Sequence, residues 1–292
     1  MKTIALKLIT VALFFLLFPH PVLAGEEAPP APANWWVKSA LDPTAQYEGL
    51  LLKADLSFTY NKLTGNTAGY ARGINSGVIL RSGQFTGQAS HERNDKDITQ
   101  GEDRVESEKW TTVVTGQFDL CRHGYVGAGH IWELDTNNNI VLRKIFIAGV
   151  GSYVLSSEKA NVNIFLAAGQ TDEEYDEIVQ RYTSLARRNY NILYFYQTFD
   201  WQITEWLGLS QGFRLIRSFS KMNEFDMQDD TSATFVSGKS ERNLIQATVE
   251  LQIPVRKYLN IFTTYRYNYD SHPWPGNKSA DTLTTTGIRF SY

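Results

Sequence analysis

Ile245-Gln246-Ala247-Thr248-Val249-Glu250-Leu251-Gln252-Ile253 alternates apolar and polar residues without a break. A β-strand turns successive side chains to opposite faces, so a period of two sorts this stretch into one apolar face and one polar face. The same pattern recurs along the chain. Leu52, Ala54, Leu56, Phe58 and Tyr60 alternate with Lys53, Asp55, Ser57, Thr59 and Asn61. Trp110, Thr112, Val114, Phe118 and Leu120 do so against Lys109, Thr111, Thr115, Gln117 and Asp119. Leu259, Ile261, Tyr265, Tyr267 and Tyr269 alternate with Asn260, Thr264, Arg266, Asn268 and Asp270. Helical periodicity is nearly absent.

Alternation alone fits a soluble sandwich as well as a membrane barrel, and segment length separates them. Sandwich strands cluster near five or six residues, whereas a strand crossing a bilayer needs roughly 9 to 11. The segments here have the longer measure: 50–62, 69–81, 85–93, 109–120, 125–134, 140–154, 161–170, 189–201, 207–216, 243–253, 259–270 and 282–292. They number twelve, an even count that closes an antiparallel sheet and removes the edges a long apolar strand could not leave in lipid. Short connections (82–84, 121–124, 155–160, 202–206 and 254–258) alternate with long polar ones (94–108, 171–188, 217–242 and 271–281). The expectation is an all-β, transmembrane antiparallel β-barrel of about 12 strands over residues 50–292, apolar outside and polar within. Short turns would face the periplasm and long loops the exterior.

The N-terminus fits an exported protein. Lys2 and Lys7 flank the start of an apolar stretch at 4–18, followed by Pro19, Pro21 and the small-residue end Val22-Leu23-Ala24. That is the form of a secretory signal peptide at 1–24. Residues 25–49 begin with the proline-rich run Glu27-Ala28-Pro29-Pro30-Ala31-Pro32 and make a periplasmic linker. The implied location is the cell outer membrane of a Gram-negative bacterium.

Composition narrows the function. Lys and Arg number 28 against 31 Asp and Glu, a net charge of -3 that offers no basic footprint for nucleic acid. One cysteine, Cys121, excludes an internal disulfide and any multi-cysteine metal site.

Several segments carry a resemblance beyond the pattern. Ile288-Arg289-Phe290-Ser291-Tyr292 ends the chain on an aromatic alternation similar to the signal read by the barrel assembly machinery, with Ile288, Phe290 and Tyr292 as its apolar positions. Thr64-Gly65-Asn66-Thr67, Gly149-Val150-Gly151-Ser152-Tyr153, Tyr269-Asp270-Ser271-His272-Pro273, Pro275-Gly276-Asn277-Lys278 and Asp281-Thr282 resemble the domain-of-unknown-function family 481. Its YdiY-like members are described as salt-induced outer-membrane proteins. The resemblance covers about 50–292 and implies an outer-membrane barrel linked to salt or osmotic response, with no established activity and no catalytic residues to carry over. The insert at 225–241 fits it less well.

His91 and His130 share the apolar parity of their strands, and neither has a hydroxyl two residues away on its own strand. His123 falls in a short turn and His272 in a proline-rich loop, so no nucleophile, base and orienting acid assemble. No catalytic residue, cofactor or metal ligand is expected. The acidic run Asp172-Glu173-Glu174-Tyr175-Asp176-Glu177, with Glu224, Asp226, Asp229 and Asp230, lacks the spacing of a calcium loop and suits a solvated external face. Arg93, Lys96, Arg104, Arg187 and Arg188 either bind lipopolysaccharide phosphates or pair with loop acids. Trp110, Trp132, Trp201, Trp206, Tyr258 and Tyr70 lie near strand ends, where aromatic rings form interfacial girdles.

Inward parity gathers both signs of charge. Lys53, Asp55, Arg81, Glu92, Lys109, Asp119, Arg214, Glu250, Arg266, Asp270 and Arg289 share it, as do the small Gly73, Gly77, Gly208 and Gly212. Of these, Asp55, Arg81, Asp119, Arg214, Glu250, Arg266, Asp270 and Arg289 are the candidate pore-lining residues. They either line a narrow pore for small solutes or lock a closed structural barrel whose outer loops meet lipopolysaccharide or a protein partner. A monomer surrounded by outer-membrane lipid is expected.

Overall fold

The computed structural model describes residues 50–63, 68–100, 103–157, 159–177, 179–180, 186–229, 232–256, 258–272 and 279–291. The expected signal peptide and linker, the 64–67 tetrapeptide, residues 273–278 and Tyr292 lie outside them. Twelve strands follow in order: β1 (Leu51–Leu63), β2 (Ala68–Ser82), β3 (Phe85–Gln100), β4 (Asp103–Cys121), β5 (Gly124–Asp135), β6 (Ile140–Ser156), β7 (Ala160–Tyr175), β8 (Arg187–Thr204), β9 (Leu207–Asp229), β10 (Ser232–Arg256), β11 (Leu259–Asp270) and β12 (Ala280–Ser291). Each pairs antiparallel with the next, and β1 pairs with β12 to close the barrel. That seam has a short register, Asp55–Thr59 against residues 287–291, while β1 and β2 pair from Leu51 through Leu63.

The period of two becomes an inside and an outside. In β1, Ser57 is 2% exposed, while Leu56 and Phe58 beside it are 41% exposed. In β10, Val249 lies outward between Gln211 and Tyr265, and Glu250 lies inward between Ser210 and Thr264. Val78, Phe146, Val150, Leu166, Leu251 and Ile288 extend the same apolar exterior around the wall. An exterior this apolar is stable against lipid and costly against water. No described helix is long and apolar enough to cross a membrane. Trp201, Trp206 and Tyr258 are exposed near the end that carries the short turns, as a girdle requires.

Three expectations about connections need correction. The described residues of 94–108 and 217–242 are strand rather than loop: β3 and β4 stay paired to Gln100 and Asp103, and β9 and β10 to Asp229 and Ser232. Their backbones saturate each other's hydrogen bonds and need no apolar face once the hairpin leaves the lipid, so polarity there does not signal a loop. The β9–β10 ladder breaks register between Ser232 and Ala233, Val236 and Ser240, and Glu241 and Asn243, where bulges absorb the insert. The connection after β7 is also shorter than 171–188, because β7 continues to Tyr175.

Apolar residues are not confined to the outside. Ile131, Ile145, Ile147, Phe165, Ala167, Ile192, Tyr194 and Ile216 form a buried cluster with Tyr125, Tyr153 and Tyr190. These are the inward positions of β5 to β9, so one arc of the lumen is packed like a soluble core. Gly151 makes room for it: a Cβ there would collide with the hydroxyl-bearing edge of the Tyr125 ring. Asn139, closing the turn after β5, has φ 53, a left-handed conformation that asparagine tolerates.

Candidate functional site

The opposite arc is built from small and polar inward residues, and there the lumen keeps space. A cavity of about 280 Å³ is lined by Gln88, Ser90 and Gln246 on one side and Tyr125, Phe165 and Tyr194 on the other. A second, of about 180 Å³, lies against Thr59, Asn75, Leu283 and Thr285 of β1, β2 and β12. Glu92, Asn94 and Arg266 line both. Arg266 Nη1 and Nη2 donate to Glu92 Oε1 and Oε2 at 2.5 and 3.0 Å, and Asn94 Nδ2 donates to Glu92 Oε1 at 2.7 Å. β3 and β11 are separated around the wall by β2, β1 and β12. The bidentate pair is therefore a strut spanning part of the lumen, with one chamber on each side.

A second strut joins β9 to β5, where Arg214 Nη2 donates to Glu133 Oε1 at 3.1 Å. Glu133 also accepts from Arg143 Nη1 at 3.0 Å, and Arg143 Nε reaches Glu173 Oε1 at 2.7 Å. Glu173 is fully buried and is the hub: Arg242 Nη1 donates to both its oxygens, Tyr175 OH donates at 2.6 Å and Tyr190 OH at 3.0 Å. Arg242 carries the chain on to Asp270 at 2.6 and 3.0 Å. Near the short-turn end, Arg81 Nη2 donates to Asp119 Oδ2 at 2.6 Å and Tyr153 OH to Oδ1 at 3.1 Å. Arg289 grips Glu250 at 2.6 and 2.9 Å above the Phe262 ring, and Lys53 lies 3.2 Å from Asp55. Burying such charges is tolerable because each meets an opposite charge and further hydrogen bonds.

Every candidate pore-lining residue named from the sequence thus has an ionic partner, and the lumen is lined by paired charge. Glu133, Arg143, Glu173 and Arg242 were not among them, although the register sets Arg143 opposite both Glu133 and Glu173. Glu173 also corrects the reading of the acidic run as a solvated face: the strand continues through Tyr175, and its alternation turns Glu173 inward. The side chains of Glu224, Asp226 and Asp229, as well as Asp230 and Arg104, lie outside the described residues. Ile288 and Phe290 face outward on β12.

On the outer wall, His91 Nδ1 and Thr112 Oγ1 are 2.8 Å apart across the β3–β4 ladder. The hydroxyl that Ala89 and Arg93, two residues away on β3, do not supply comes from the neighbouring strand. Among the described residues no carboxylate hydrogen-bonds this imidazole, and none of them form a group of three or more metal-binding side chains. His130 stacks on Trp132 with ring centroids 4.0 Å apart.

The model of one family, described as "Protein of unknown function, DUF481", matches residues 54–236. The chain belongs to that family. The DUF481 match ends within β10, inside the 225–241 insert. No curated protein matches the sequence. Among solved structures, the DUF481 chain is similar to a NanC porin at 12% identity and TM-score 0.44, over 82% of this chain and 98% of that one. It is also similar to the translocator domain of autotransporter NalP from Neisseria meningitidis, at 12% identity and TM-score 0.43, over 87% and 92%. For OmpT of Vibrio cholerae the identity is 8% and the TM-score 0.38, over 83% and 97%.

Proposed function

We propose that the chain is an outer-membrane barrel without catalytic activity that passes small polar solutes through a narrow lumen whose width is set by the Glu92–Arg266 strut. One observation carries this reading: a single bidentate pair divides two neighbouring chambers, the larger of which reaches across the lumen to the packed arc. In planar bilayers the wild type should give small, stable unit conductance, and Glu92→Ser with Arg266→Ser should raise it severalfold by merging the chambers. Arg266→Ala alone should shift the permeability ratio toward cations, because an uncompensated Glu92 then concentrates counter-ions. Membranes that stay sealed with all three forms would overturn the pore reading.

A second reading has its own observation. At the end away from the short turns, Arg72 and Arg93 meet Asp95, Arg187 meets Asp172, and Arg217 meets Glu241, all on exposed guanidinium groups. Such a rim suits lipopolysaccharide phosphates, which compete for the same donors, and sealed membranes would favour a closed barrel acting through this surface.

Both readings require the short turns in the periplasm. In a Cys121→Ser background, Glu177→Cys should react with an impermeant thiol reagent on intact cells and Glu205→Cys should not. Equal labelling of both sites behind an intact membrane refutes the orientation.

A further inference from the structure

The larger chamber is asymmetric in charge as well as polarity. Three cationic side chains line it, those of Lys109, Arg214 and Arg266, against one carboxylate, Glu92. The partners of Lys109 and Arg214, Asp135 and Glu133, do not line it. Across the space stand flat apolar groups: Tyr125 and Phe165 lie stacked 5.9 Å apart with planes 5° from parallel, and Tyr194 and Tyr196 stand beside them. Arg266 gives both Nη groups to Glu92, while its Nε is buried with no hydrogen-bond partner among the described residues. That guanidinium is under-satisfied, and a carboxylate that displaced Glu92 could settle on Nε and Nη together in the fork geometry that arginine favours.

We propose that this chamber is a binding site for a small ring-bearing carboxylate, whose ring lies on the Tyr125, Phe165 and Tyr194 wall and whose carboxylate replaces Glu92 on Arg266. The chamber of about 280 Å³ has room for one or two rings, and the surplus of lining cations selects an anion over a neutral isostere. Binding displaces one end of the strut, so an occupied chamber opens toward its neighbour. The site deepens the pore reading, resting on a lumen that solutes enter, but it is measured without any conductance.

The test uses the full chain in detergent micelles, with 4-hydroxybenzoate as the probe in calorimetric titration. One-site saturable binding is expected, with 4-hydroxybenzamide and acetate each weaker by about tenfold or more, since each lacks one of the two recognition elements. Glu92→Gln removes the competing carboxylate at constant shape and should tighten binding severalfold, which a purely structural Glu92 would not do. Gln88→Trp fills the chamber from its polar wall and should abolish binding in a variant that still migrates as a folded barrel. Equal affinity for the amide overturns the carboxylate assignment. Binding that survives Gln88→Trp overturns the location. Titration of wild type and Glu92→Gln without saturation overturns the site, even where conductance establishes the pore. Saturable binding to a barrel that never conducts would instead keep the site and remove the pore.

Discussion

Glu173→Ala should cost the folded barrel about 3 to 5 kcal/mol, the penalty for removing one partner from a buried ionic network and leaving the others uncompensated. Arg143 and Arg242, both buried, lose their shared acceptor, and the Tyr175 and Tyr190 hydroxyls lose theirs. Reversible urea unfolding in phospholipid vesicles measures the loss. The same change in an Arg242→Ala background should cost much less, because one of the stranded cations is already gone. Equal costs in the two backgrounds would show that Glu173 and Arg242 are not energetically coupled.

Val114→Arg is the second large effect. Val114 faces outward between Ala89 and His130, and a basic group on the lipid face near mid-membrane costs roughly 2 to 4 kcal/mol. Thr115 points into the larger chamber, so Thr115→Arg should be much milder in the same titration. Similar losses at both positions would mean that β4 is out of register.

The two neighbouring positions illustrate how legible the fold was. Dyad alternation in β1, β4, β10 and β11 separates lipid face from lumen face because both solvents are uniform along those strands, and strand number follows from counting. Alternation failed as a guide where the interior itself turns apolar. In β6, Arg143, Ile145 and Ile147 share the inward parity, so the rule that apolar means outward loses its meaning there. That packed arc hid Arg143, and with it the hub at Glu173. Hairpin length was misread for a related reason: outside lipid, backbone pairing continues without any hydrophobic signature, as at β3–β4 and β9–β10. The pairing of lumenal charges was beyond reach altogether, since Glu92 and Arg266 lie 174 residues apart and meet across the lumen through barrel curvature alone.

The short seam between β1 and β12 gives the cylinder a preferred line of tearing. Resistance to peeling two strands apart grows with the length of ladder that holds them, and the ladder at Asp55–Thr59 is much shorter than that joining β1 to β2. Thermal breathing of the wall should therefore begin along this one longitudinal slit, with the amide protons that border it the first of the ladder to exchange with solvent. Behind that slit lies the smaller chamber, with Thr59 of β1 and Leu283 and Thr285 of β12 in its lining. An excursion that unzipped the slit would expose hydroxyl-lined interior to acyl chains and so offer a sideways route between bilayer and lumen rather than a passage along the axis.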